Sequence, residues 1–193
     1  MSDKIVNGVN VSKLFGTIEA IKGDAGIATF RFRAANRWDG GSKNTSSFDG
    51  FYGASAEQPH AKAFVMGADE PPVLLGEGEY ANPVEYVLHG LAACLTTSMV
   101  YHAAARGIEI EEIESRLEGD LDLRGFLGMD KSIRNGYSGI RVSFRVKADG
   151  PAEVIAELAE LAKSRSPVFD IVSNGVPVMV SAEPMAKAAS KAA

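Results

Sequence analysis

The chain has 193 residues, 46% of them hydrophobic and 23% charged, which predicts an ordinary globular domain. Its formal net charge of −5 argues against nucleic acid or an anionic membrane as a partner. No stretch approaches the roughly 20 apolar residues that span a bilayer, and the first residues carry no apolar core of signal-peptide length. We therefore expect a cytoplasmic protein.

The first part of the chain is predicted to form strands. Residues 28–38 alternate apolar side chains with Arg31 and Arg33, which is typical of a half-exposed strand. A turn at WDGGSKN follows, and then two short strand candidates in TSSFDGFYG and AKAFVMG. A connection with many glycines and prolines leads from there to a helix start.

A long helix is predicted from about Pro83 to Arg106. Asn82 is a suitable N-cap and Gly107 a suitable C-cap. Its middle, HGLAACLTTSM, consists mostly of small residues, which predicts that another backbone approaches closely there, with a symmetry mate as one candidate. Its apolar line advances by three or four residues through Val84, Val87, Leu88, Leu91, Leu95, Met99 and His102.

The second half is predicted to contain two strands, a helix and a final short strand. A strand is expected around Leu117, Leu121 and Leu123, and another in GIRVSFRVKA after a glycine-containing connection at 125–139. PAEVIAELAELAKSR is an amphipathic helix, GVPVMVSA a final short strand, and the Ala/Lys tail after Pro184 is expected to fray.

The order of these elements favours one fold class. Because the strands cluster instead of alternating singly with helices, an α+β fold with an antiparallel sheet is favoured over a doubly wound one. We divide the chain into an N-terminal arm (1–24), one domain (25–183) and a C-terminal tail (184–193).

The only cysteine, Cys94, lies inside the long helix. One cysteine can form neither an internal disulfide nor a thiolate zinc site, and His60, His89 and His102 lie at no familiar ligand spacing, so we expect no metal and no cofactor. A reactive cysteine needs a nearby cation, helix N-terminus or acid–base partner, and Cys94 lies beyond the reach of its helix dipole. Because neither His89 nor His102 has suitable helical spacing, the pattern alone favours a packed cysteine.

Three segments resemble the OsmC/Ohr family of osmotically inducible and organic-hydroperoxide-resistance proteins: NPVEYVLHGLAACLTTS, YHAAARGIEIEEIESRLEGDLDL and SPVFDIVSNGVPV. The resemblance covers residues 25–183 in element order. It implies an OsmC-like α+β fold, in which antiparallel sheets wrap around long central helices in an intertwined homodimer. Active members of that family reduce organic hydroperoxides with the helix cysteine, a second cysteine closes a disulfide, and a small dithiol reduces it.

The resemblance can be carried onto individual residues of this chain. The peroxidatic position falls on Cys94, and the resolving position falls on Ser166, which cannot form a disulfide. The family's glutamate falls on Val84, and Glu85 stands one place later, about 180° round an ideal helix from the cysteine.

The family's arginine follows a Gly-Gly pair in the first hairpin. In this chain Ser42 and Lys43 follow that pair, so Arg31, Arg33 and Arg37 are the candidate cations. We expect Arg37 and Glu85 to belong to the candidate site. Each of these arginines is more often a solvated charge on a strand.

Two hypotheses follow for the function. The first is a one-cysteine thiol peroxidase, in which Cys94 attacks an organic hydroperoxide and an external thiol or dithiol acts as the resolver. The alternative is a non-catalytic ligand-binding or stress-related protein, in which Cys94 is structural and the ligand is apolar. A hydrolase that uses Ser166 is disfavoured because no base is evident beside it and no G-x-S-x-G occurs.

Overall fold

The computed structural model describes residues 3–185. Most of the predicted tail, residues 186–193, therefore lies outside the described residues. The described elements, in chain order, are β1 (Ile5–Val6), β2 (Val9–Asn10), α1 (Val11–Gly23), a 3₁₀ turn (Ala25–Ala28), β3 (Arg31–Phe32), β4 (Ala35–Gly40), β5 (Lys43–Gly53), β6 (Ala56–Ala68), a second 3₁₀ turn (Pro72–Leu74), α2 (Pro83–Arg106), β7 (Ile110–Asp120), α3 (Leu123–Phe126), β8 (Gly139–Ala148), α4 (Ala152–Arg165) and α5 (Pro167–Asn174).

The described strands pair only in antiparallel fashion. In the largest sheet β5 is central, with β3 and β4 along one edge and β6 along the other. Strands β7 and β8 form a separate ladder, and β1 and β2 form a short hairpin. The predicted α+β class with antiparallel sheets is confirmed.

Helix α2 has the ends that its sequence predicts. The side chain of Asn82 accepts a hydrogen bond from the Val84 N–H at 2.9 Å, and Glu85 Oε2 accepts one from the Asn82 N–H at 2.8 Å. This reciprocal arrangement is a capping box, which satisfies backbone donors that the first turn leaves free. Gly107 ends the helix in the left-handed conformation with φ of 73°.

The main core lies between α2 and α4. Met99 and Leu158 are both 0% exposed, and Ala103 and Ala162 let the two helix backbones come close. Apolar side chains on the inner face of the β7–β8 ladder cover the same cluster. From the predicted apolar line of α2, the structure buries Leu91, Leu95 and Met99, whereas Val87 is exposed.

A buried carboxylate fixes the loop that leads into α2. Asp69 is fully buried and accepts a hydrogen bond from the Ser42 hydroxyl at 2.6 Å. It also accepts bonds from the backbone N–H groups of Glu70, Glu77 and Glu79 at 2.8, 3.2 and 3.1 Å. Burial of a charge is tolerated only with such partners, so Asp69 holds the β4–β5 turn and this loop together.

We expect Asp69→Asn to lower the Tm at neutral pH, because the amide replaces an acceptor with a donor among N–H groups. The Ser42 hydrogen bond, followed by the backbone hydrogen bonds, lowers the pKa of Asp69 to about 2. A lowered folded-state pKa contributes stability above the unfolded pKa of about 4 that is lost as the pH falls. The Tm difference between wild type and variant should therefore shrink between about pH 4 and pH 2. Asp49→Asn, at an exposed position of β5, is the control, and an equal Tm loss there would contradict the assignment.

Two strand predictions were wrong in detail. The predicted strand at 28–38 begins only at Arg31, because residues 25–28 form a 3₁₀ turn, and it is divided because β3 and β4 pair with separate parts of β5. Strand β7 starts earlier than predicted and ends at Asp120, so Leu121 lies outside it and Leu123 begins α3. The Asp122 side chain accepts a hydrogen bond from the Arg124 N–H and so caps α3, which ends the ladder there.

The segment after α4 also differs from the prediction. Residues 167–174 form α5, which the pattern did not indicate, and residues 175–185 form no strand. Val178, Met179 and Val180 are exposed there. An extended apolar segment becomes a strand only when a neighbouring strand accepts its hydrogen bonds, and no described strand of this chain does so.

The β4–β5 hairpin carries the only tryptophan of the chain. Trp38 lies on β4, is 72% exposed, and donates its indole N–H to the Gly41 carbonyl at 3.0 Å. Phe30, which directly precedes β3, packs with Phe32 and Phe51 of the same sheet in an aromatic cluster with ring centroids 5.2 to 6.0 Å apart. Among residues 3–185, no helix is long and apolar enough to cross a membrane.

Candidate functional site

The structure brings Cys94 and Ser166 into direct contact. Ser166 Oγ donates a hydrogen bond to Cys94 Sγ across 3.1 Å. The same oxygen accepts the backbone N–H of Phe169 at 3.1 Å, so the hydroxyl is held at both sides. Ser166 is buried and Cys94 is partly exposed. The thiol is therefore reachable, while the group that contacts it is fixed.

The local sequence explains the position of Ser166. Helix α4 ends at Arg165, and Pro167 begins α5 because its fixed φ suits the first helical turn. Serine between them is the N-cap of α5, and its side chain must turn towards the first turn of that helix. Helices α4 and α5 both pack on α2, so the α4–α5 corner, residues 165–167, lies against the part of α2 that contains Cys94.

Cys94 opens into a cleft of about 650 Å³, a size typical of small-molecule sites. One side is formed by the small and polar residues that follow Cys94 along α2, including Thr97, Ser98 and His102. The rest is completed by Arg165 and Pro167 at the α4–α5 corner and by two side chains of α1, Leu14 and Ile18.

His102 lies in the cleft as a neutral polar group. Burial is the main cause that lowers its pKa, and the charges of Arg106 and Arg165 lower it further. Because its ordinary value is already near 6.5, the imidazole is uncharged at neutral pH and can accept a hydrogen bond. His89 lines a different depression, between the start of α2 and the large sheet.

Arg37 and Glu85 have partners outside the cleft. Arg37 forms an ion pair with Asp39 at 2.9 Å, and its side chain is 81% exposed. Glu85 accepts the capping hydrogen bond of α2 from Asn82. Neither lines the cleft that contains Cys94 in this chain.

The other hairpin residues also have local roles. Arg33 is paired with Glu57, and Lys43 is paired with Glu77 at 2.7 Å. Ser42, one of the residues after the Gly-Gly pair, is bonded to Asp69. Arg31 lies on β3, paired in register with Tyr52.

Sequence reasoning missed two contributions to the cleft. Arg165 immediately precedes Ser166, so the same segment that suggested the serine contained the signal for this cation. Leu14 and Ile18 are four residues apart and share one face of α1, a spacing typical of an apolar helix face. Both side chains belong to the predicted N-terminal arm, residues 1–24.

A family model described as OsmC-like protein matches residues 76–181. This range contains α2, Cys94, the β7–β8 ladder and the Ser166 corner. It covers more than half of the chain. The chain therefore belongs to the OsmC-like protein family.

Solved structures agree with this assignment at the level of the fold. An OsmC-like protein from Mycoplasma pneumoniae has a TM-score of 0.57 at 17% identity, over 74% of this chain and 87% of its own. An OsmC-like protein of unknown function from Vibrio cholerae has a TM-score of 0.56 at 13% identity, over 72% of this chain and 92% of its own. A hypothetical protein from Aquifex aeolicus has a TM-score of 0.51 at 13% identity, over 74% and 87% of the two chains. A comparison with curated proteins found no match.

Proposed function

We propose that this protein is a one-cysteine thiol peroxidase that reduces organic hydroperoxides. The observation that carries the proposal is the 3.1 Å hydrogen bond from Ser166 Oγ to Cys94 Sγ at the wall of an open cleft. A reactive thiol needs a partner that favours its anion and needs access to its substrate. Both conditions are supported by this geometry.

In this proposal Ser166 acts as a donor to the sulfur. A hydroxyl that donates to a sulfur stabilises the thiolate more than the thiol, because the anion is the stronger acceptor. The Phe169 N–H that binds the serine oxygen keeps the hydroxyl hydrogen available for the sulfur. Ser166 thus takes a positioning role where the family resemblance implies a second cysteine.

The proposed reaction has two stages. The Cys94 thiolate attacks the terminal peroxide oxygen, the O–O bond breaks, and the sulfur becomes a sulfenic acid. The alkoxide that leaves takes a proton from water and becomes the alcohol. A first external thiol then condenses with the sulfenic acid and releases water. A second external thiol reduces the mixed disulfide and restores Cys94. The external reductant is required because Ser166 cannot form a disulfide.

The proposed reaction does not use Arg37 or Glu85 of the same subunit. Arg37 is paired with Asp39, and Glu85 accepts the capping hydrogen bond from Asn82. The cation that lines the Cys94 cleft is Arg165. We assign the attacking thiol to Cys94 and its positioning to Ser166.

The proposed functional unit is a homodimer in the cytoplasm. Its support within this chain is the amount of apolar surface that a lone subunit leaves exposed. Examples are Phe32 and Phe64 on the large sheet and Val178, Met179 and Val180 after α5. Exposed apolar patches of this kind mark association surfaces.

One feature favours the alternative, a non-catalytic ligand-binding protein. Ser166 is buried and caps α5, so its contact with Cys94 also fits a purely structural corner. Under this alternative the cleft binds an apolar ligand and Cys94 is packing. The two functions differ in whether the thiol reacts with peroxide.

The test is intact-protein mass spectrometry after brief exposure to one equivalent of cumene hydroperoxide, with dimedone present to trap sulfenic acid. We expect a rapid, near-stoichiometric adduct that peptide mapping places on Cys94. Cys94→Ser should give no adduct and no peroxide consumption while its circular dichroism spectrum is unchanged. An unmodified wild-type protein whose thiol also resists iodoacetamide at pH 7 would refute the peroxidase proposal and leave the alternative.

A further inference from the structure

Helix α1 supplies an apolar wall to the Cys94 cleft. Leu14 and Ile18 line the cleft together with the stripe of α2 that contains the cysteine. Ile18 is exposed to solvent in this cleft. Removing its apolar surface from water, as a bound ligand would, is favourable. This wall comes from residues that precede the range matched by the family model, 76–181, so that range alone does not describe the cleft.

The arm is held in place by specific contacts and is not a loose extension. The side chain of Asn7 donates to the Ile108 carbonyl at 2.9 Å and accepts the Ile110 N–H at 2.8 Å. Val6 and Val11 are buried against Ala104 near the end of α2. These contacts fix the start of α1 against α2 and β7, and therefore fix the position of its apolar face.

The cleft also contains a cation without a partner. Among residues 3–185, Arg165 forms no ion pair and no side-chain hydrogen bond, unlike Lys163 on the same helix, which is paired with Glu160. The nearby histidine, His102, is kept neutral, so Arg165 is the charge that a ligand in the cleft meets. A guanidinium binds carboxylates through two parallel hydrogen bonds.

We propose that the Cys94 cleft selects an organic anion, whose apolar chain packs against Leu14 and Ile18 of α1 and whose acidic group binds Arg165. The occupant is a small amphipathic acid, because the cleft combines one apolar wall with one free guanidinium. The proposal deepens the peroxidase function, since the substrate would be a hydroperoxide with such an acidic chain. Leu14, Ile18 and Arg165 are then specificity-determining residues.

Binding can be measured without any peroxide chemistry. Octanoate and octanol share the same chain and differ only in the charged group, and isothermal titration calorimetry at fixed ionic strength gives both affinities. We expect wild type to bind octanoate more tightly than octanol. Ile18→Ser should weaken both ligands about fivefold to tenfold, because part of a buried aliphatic contact is lost. Arg165→Gln should weaken octanoate by about tenfold and leave octanol unchanged.

Matched variants control for helix stability and net charge. Phe15→Ser changes a neighbouring exposed position of α1 with a similar loss of helix propensity, and Phe15 does not line the cleft. Lys163→Gln removes one positive charge from the end of α4 outside the cleft. Both controls should bind octanoate as wild type does.

The outcomes separate this inference from the proposed function. Octanoate affinity that is absent, or that Ile18→Ser and Arg165→Gln leave unchanged, overturns the inference even if Cys94 reacts with peroxide. Octanoate binding that depends on both residues supports it even if Cys94 is inert, in which case only the peroxidase proposal fails. A second copy of the chain is the other possible occupant of the α1 face, and sedimentation equilibrium of Ile18→Ser tests it. If this variant loses self-association but binds octanoate as wild type does, the α1 face is an interface between copies and the inference is overturned.

Discussion

Ser166→Cys should produce an internal disulfide with Cys94 when the protein meets one equivalent of hydroperoxide. The two side chains are already in contact at 3.1 Å, and a disulfide needs sulfurs about 2.05 Å apart. The longer carbon–sulfur bond of cysteine moves the new atom closer to Cys94. Intact-mass measurement should show a loss of about 2 Da with no dimedone adduct, because the sulfenic acid condenses with the new thiol. Non-reducing unfolding should show a stability gain of up to about 4 kcal/mol for a loop of this length.

Two variants make this result specific. Ser164→Cys places a thiol at an exposed position of α4 two residues away, and it should retain two free thiols after oxidation. Ser166→Ala removes the cap of α5 without adding sulfur and should cost about 0.5–2 kcal/mol on its own. If Ser166→Cys keeps both thiols free under peroxide, the Cys94–Ser166 contact is not maintained in solution.

Leu158→Ala should cause the largest loss of stability among single changes in the core. Leu158 is 0% exposed and packs against Met99, Ala103 and Ala162, so truncation leaves a cavity between α2 and α4. Leucine-to-alanine changes at such sites cost about 2–5 kcal/mol, a large part of the 5–15 kcal/mol that stabilises a typical domain. A loss of about 3 kcal/mol corresponds to a fall in Tm of roughly 6–12 °C for a chain of this size.

Leu161→Ala is the matched control, because Leu161 lies on the same helix with the same side chain but is only partly buried. Chemical denaturation of both variants should give a clearly smaller loss for Leu161→Ala. Equal losses would mean that the α2–α4 contact is not the centre of the core.

The ends of α2 could be predicted from sequence because helix caps are local. Asn82, Pro83 and Glu85 act on backbone groups within one turn, and Gly107 adopts a conformation that few other residues tolerate. Strand β8 was also predictable, because its alternation matches a ladder with one inner face. The division of residues 28–38 was not, because the ends of β3 and β4 are set by pairing with β5, far along the chain.

The candidate site was predicted in part. The resemblance to a known family identified Cys94 and Ser166 as related positions, whereas the pattern of residues alone could not bring them together across 71 intervening residues. Arg165 and Ile18 were missed because their role depends on where α4 and α1 lie against α2. The roles expected for Arg37 and Glu85 stay predictions, since both have other partners in a single subunit.

The exposed indole of Trp38 gives the protein a built-in optical reporter of a surface outside the residues that line the Cys94 cleft. With no second tryptophan in the chain, the emission spectrum of the native protein describes the tip of the β4–β5 hairpin. A solvated indole emits at long wavelength, so any shift to the blue on raising the protein concentration signals that another surface has covered this tip. Oxidation of the thiol should leave the emission wavelength unchanged, so the emission reports assembly independently of the redox state of Cys94.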